Sequence, residues 1–120
     1  MSEMEKGRVL VAAALSIAVI FHSHVAEADI HKIVWYENSG ASQTWTVSVN
    51  DSIDFEVGDY VNNVIQVMSK AAYDNCDASS GTIYPLKSVD FTQRGTFYFI
   101  CSKPATACKQ GGMKIVVTVV

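Results

Sequence analysis

Histidine is scarce in this chain, with only His22, His24 and His31 among 120 residues. A Ser/His/Asp or Cys/His catalytic group therefore lacks its usual base, and no enzyme is expected. Charge is sparse as well. Nine Lys and Arg face twelve Asp and Glu, a net charge of −3. Without a basic excess, neither nucleic acid nor an anionic membrane surface is an expected partner. Long apolar runs are also missing. The longest, Val9 to Phe21, is thirteen residues interrupted only by Ser16, short of the roughly 20 that span a bilayer. There is no internal repeat, low-complexity tract or interdomain linker.

That short run has a different meaning in its context. Lys6 and Arg8 precede it, and Ala26-Glu27-Ala28, a small-x-small triplet, follows it. The order describes a secretory signal peptide over residues 1–28. Cleavage after Ala28 leaves a single domain, residues 29–120, with seven Lys/Arg against nine Asp/Glu, a charge of −2. The expectation is a secreted, extracellular monomer with no transmembrane segment in the mature part and no lipid-anchor signal at its C-terminus. Three cysteines, Cys76, Cys101 and Cys108, all fall in the mature part. A small secreted core is helped by a disulfide, and an odd count leaves one thiol over.

Residue patterning predicts an all-β domain. Ile30 to Tyr36 suits a first strand. Gln43 to Val49 alternates strictly, with Trp45, Val47 and Val49 on one face, and reads as a half-buried antiparallel strand. Ile53, Phe55 and Val57 alternate again after the Asn50-Asp51 turn. Further strands are expected at Asn63 to Met68, around Val89 and Phe91, at Gly95 to Cys101 and at Lys114 to Val120. Lys70 to Asp77 is the one helical segment predicted in the mature part, and Ala78 to Pro85 reads as loop. About seven short strands at near-regular spacing imply a Greek-key β-sandwich or barrel. The last two strands enclose a loop with a Cys at its start and Met113 at its end. Those two sulfurs suit a mononuclear copper site if two histidines join them.

Five segments carry a resemblance: Val49-Asn50-Asp51-Ser52-Ile53-Asp54-Phe55, Asn62-Asn63-Val64-Ile65-Gln66-Val67, Tyr73-Asp74-Asn75-Cys76, Gly95-Thr96-Phe97-Tyr98-Phe99-Ile100-Cys101 and Gly112-Met113-Lys114-Ile115. In this order they resemble the phytocyanins, the plant secreted cupredoxins that include plantacyanins, stellacyanins, uclacyanins and early nodulin-like proteins. The likeness covers roughly Val49 to Val120, and the N-terminal third matches poorly. It implies a cupredoxin-like Greek-key β-sandwich and a founding activity of one-electron transfer through type 1 copper. The family's copper ligands are His, Cys, His and an axial Met or Gln. They fall here on Asn62, Cys101, Ala107 and Met113. Both histidines are replaced, so no metal is expected although copper is the family cofactor. His22 and His24 leave with the leader, and His31 alone cannot supply two ligands. The ligand loop is also two residues longer than the family pattern.

The resemblance further implies a Cys76–Cys108 disulfide, with Cys101 left as a free thiol. A Cys101–Cys108 pairing is the alternative, and it needs the loop to double back sharply. Cys101 is either a buried apolar filler or a relic ligand with residual Cu(I) affinity. Asn50-Asp51-Ser52 is the one N-glycosylation signal in the mature part. Trp35, Tyr36 and Trp45 read as core, with an exposed aromatic patch as the alternative, and Met68 reads as core filler. The expected function is an extracellular binding, structural or signalling module in the apoplast, acting on another protein or a cell-wall glycan. The alternative is a blue-copper carrier with an altered site.

Overall fold

The computed structural model describes residues 27–37, 44–58 and 61–120. Most of the leader, residues 1–26, lies outside them, as do residues 38–43, which include the start of the strand expected from Gln43, and residues 59–60. The described residues form β1 (Ile30–Trp35), β2 (Thr44–Val47), β3 (Ser52–Val57), β4 (Ile65–Val67), α1 (Lys70–Asp74), β5 (Thr82–Ile83), β6 (Ser88–Asp90), β7 (Gly95–Ile100) and β8 (Lys114–Val119). Among the described residues there are eight strands where about seven are expected. The addition is β5, two residues inside the segment read as loop. Both its residues are exposed, so no buried periodicity marks it.

Two sheets face each other, one ordered β1-β3-β6 and the other β2-β8-β7-β4-β5. The β7–β8 hairpin is the spine of the larger sheet, paired from Gly95↔Val119 to Ile100↔Lys114. In β8 each of Ile115, Val117 and Val119 is buried while Lys114, Val116 and Thr118 are half-buried, the period-two signature of a sheet packed on one face. The strand at Thr44–Val47 alternates as expected but pairs with β8 in parallel, Thr44↔Val116 to Val47↔Val119. The antiparallel expectation fails because alternation reports which face is buried and carries no information on the partner's direction. The pair β1–β3 is parallel too.

The interior is filled from both sheets: Trp35, Ile53 and Phe55 on one side, Phe99, Ile115 and Val117 on the other. Phe55 bridges them, 5.0 Å from the Trp35 ring and 5.7 Å from Phe99. Such offset and edge-on ring pairs are the favoured arrangement. Trp35 is therefore core, Trp45 packs partly against it, and Tyr36 is exposed; no three-ring surface patch forms. Met68 is not core filler. β4 ends at Val67, the chain bends away from the sheet, and Met68 is 69% exposed.

A second, smaller cluster lies on the outer face of the larger sheet, where α1 covers Ile65, Val67 and Ile100. Ser69 caps this helix by accepting from the Ala72 N–H at 3.1 Å. Cys76, just past the helix, is joined to Cys108 with Cα atoms 5.8 Å apart, which leaves Cys101 free and buried.

Candidate functional site

Where β7 ends and β8 begins, the hairpin opens into a loop, Cys101 to Met113. The chain of hydrogen bonds across its base fixes three positions together. The Cys101 N–H donates to the Met113 carbonyl at 3.0 Å, and the Met113 N–H donates to the Ala107 carbonyl at 3.0 Å. Cys101, Ala107 and Met113 are fully buried. Gly111 makes the tight return, since a Cβ there would sit 2.6 Å from the Ala107 carbonyl oxygen.

Asn62 reaches this group from the segment before β4. It is 4% exposed, and its Nδ2 donates to the Lys103 carbonyl at 2.9 Å. The Cys101 thiol donates to the same carbonyl at 3.2 Å. One backbone oxygen thus gathers both side chains. The next residue reinforces the join. Asn63 exchanges two bonds with Ser102, Nδ2 to Oγ at 3.0 Å and the Ser102 N–H to Oδ1 at 2.8 Å. Its carbonyl also accepts from Trp35 Nε1 at 2.9 Å. The segment before β4, the loop after β7 and the end of β1 are therefore tied at one end of the sandwich. Burial pushes the Cys101 thiol above its ordinary range, and hydrogen bonding with Lys103, Asn63 and Asn62 offsets this only in part. The protonated thiol is the stable form. Lys103 contributes its carbonyl to Cys101.

Surface clefts flank Asn62. One of about 340 Å³ is lined by Val61, Ile83, Tyr84, Pro85, Lys87 and Lys103 together with the asparagines. Another of about 310 Å³ lies toward Tyr36, Glu37 and Pro104.

His31 is elsewhere. It is the second residue of β1 and pairs in register with Ile53, the second of β3, whereas Trp35, at the other end of β1, is the residue that meets Asn63. Its Nε2 lies 3.0 Å from Asp51 Oδ2. Asn50 occupies the adjoining turn, exposed, with φ 75°, a left-handed conformation that Asn tolerates better than most residues. Among the described residues no group of three His, Cys, Asp or Glu side chains converges as a metal cage.

A family model described as a plastocyanin-like domain matches residues 31–112. Uclacyanin-2 of Arabidopsis thaliana is 35% identical across the whole chain, and chemocyanin of Lilium longiflorum is 34% identical over 92% of it. The chain belongs to the phytocyanin family. It spans 61% of the length of uclacyanin-2 and 91% of chemocyanin. The family match reaches back to His31, further than the motifs after Val49 indicate. Among solved structures, spinach plantacyanin superposes with a TM-score of 0.57 at 26% identity, covering 76% of this chain and 99% of that one. A cucumber basic protein described as a blue copper protein gives 0.57 at 22% identity, covering 74% and 99%, and supports the fold alone.

A type 1 centre takes two imidazoles, a thiolate and a weak axial ligand. At the positions that the sequence resemblance matches to those ligands, Asn62, Cys101, Ala107 and Met113, this chain offers an amide whose N–H bonds a carbonyl, a thiol, a methyl and a thioether. That donor set does not fit copper(II). The nearest imidazole in sequence, His31, is spent at the opposite end of the strands.

Proposed function

We propose that this phytocyanin works outside the cell as a binding module that has lost type 1 copper, contacting another extracellular protein or a cell-wall glycan. Asn62 carries this reading. A histidine at its place is half of the imidazole pair, and here the side chain is buried and holds the Lys103 carbonyl instead. With Ala107 at the other histidine position, no second nitrogen donor is present. The exposed residues Val61, Ile83 and Leu86 give the neighbouring surface an apolar character beside Lys87 and Lys103, the kind of surface through which contacts are made. Removal of a leader after Ala28 and release to the apoplast complete the proposal.

A second reading, a carrier with an altered copper site, is favoured by one observation: Cys101 and Met113 are both kept and lie side by side. Copper addition separates the two. Equimolar copper(II) followed by dialysis should leave the purified protein colourless and metal-free. An intense thiolate-to-copper absorption band that survives dialysis, with one copper per chain, overturns the module reading and establishes the carrier.

A further inference from the structure

The end of the sandwich opposite Cys101 holds a second polar group that the copper question does not touch. Asp51 is 3% exposed. Its Oδ1 accepts the Asp29 N–H at 3.0 Å, and its Oδ2 accepts the Ser48 N–H at 2.9 Å and lies 3.0 Å from His31 Nε2. The surrounding backbone is fixed as well: the Ser52 N–H donates to the Asp29 carbonyl at 3.0 Å and the Phe91 N–H to the Asp51 carbonyl at 2.9 Å. Hydrogen bonds hold a buried carboxylate in its ionised form, and a fixed positive charge beside it adds to them. In the unprocessed chain its partners are two neutral amides and an imidazole that is charged only when protonated.

The Asp29 nitrogen is also the atom that a peptidase cutting after Ala28 sets free. We infer that leader removal converts this amide into an ammonium already seated on Asp51, so that processing itself adds a fixed positive charge there and locks the start of β1. Hydrolysis consumes one water and breaks the Ala28–Asp29 C–N bond. The carboxylate departs with the leader, and the new amine is protonated from solvent. Three observations converge. Residues 27–30 are exposed and so accessible to a peptidase. The small-x-small triplet ends at Ala28. The nitrogen cannot drift after the cut, because the Asp29 carbonyl and the β1–β3 ladder from Ile30 hold it in place. A cut one residue earlier would set the amine about 3.8 Å of chain further out. The amide bond to the carboxylate is already charge-assisted through its acceptor, and after the cut both partners carry charge, so the bond becomes an ion pair.

Both sheets and the whole core lie within residues 29–120, so the mature chain is the folded unit to test. Three forms are compared by thermal unfolding at pH 7: the chain starting at Asp29 with a free amine, the same chain acetylated, and one extended by Glu27-Ala28. The free-amine form should melt several degrees above the other two, and the difference should vanish in Asp51→Asn. Equal melting of the free and acetylated forms overturns the inference. If Asp51→Asn does not fold, reductive methylation replaces it. The Asp29 amine should then react several-fold more slowly than the amine of the extended form, and equal rates overturn the idea. Mass spectrometry of protein secreted from plant cells should find Asp29 first; any other N-terminus sinks it.

Discussion

At Asn62 the buried side chain serves the two loops around it. An imidazole there donates a lone pair to a metal. The amide donates an N–H to the Lys103 carbonyl and stitches two loops that a copper ion would otherwise bridge. Asn62→Ala should lower stability by about 1–3 kcal/mol, the cost of unpairing a buried polar group, read as a shift of the urea midpoint. An unchanged midpoint would mean that water replaces the amide. Asp51 is the other decisive residue. Hydrogen bonds from the Asp29 backbone, from His31 and from the Ser48 backbone pull its carboxyl down to about 2. Because the folded value lies below the unfolded one, its stabilising effect is complete above about pH 4. It is lost as pH falls from there through 2. The melting temperature should therefore drop across that window, and Asp51→Asn, already destabilised at neutral pH, should show a shallower drop.

At the scale of elements, the β7–β8 hairpin and its loop set the geometry. The hairpin was legible in the sequence because Gly95 to Ile100 is rich in aromatic residues and Lys114 to Val119 in β-branched ones. Their alternation survives in the burial pattern of β8. Two elements were not legible. β5 is a two-residue exposed strand with no apolar repeat, and the parallel course of β2 is set by where its partner lies. The Cys76–Cys108 bond anchors the loop to the turn after α1 across 32 residues. Replacing both cysteines with serine should cost about 2–4 kcal/mol, measured by denaturant unfolding, while Cys101 remains available only to thiol reagents in the denatured protein.

Across the whole molecule, the sandwich remains a cupredoxin in outline while its two ends carry different polar groups. A ligand that binds the native state and not the unfolded one raises the melting temperature by mass action. Excess copper(II) should leave the thermal unfolding curve of this phytocyanin where it was. A concentration-dependent rise would mean that the native fold still holds the ion. The amino-acid order by itself determined the strand faces and the absence of imidazoles at positions 62 and 107, because side-chain period and residue identity are local properties. It could not place the Lys103 carbonyl between Asn62 and Cys101, nor Asp51 beneath the Asp29 nitrogen. Those are meetings of atoms 41 and 22 residues apart for the two side-chain bonds concerned, and only the pairing of β4 with β7 and of β1 with β3 within their sheets brings such distant groups within hydrogen-bond reach.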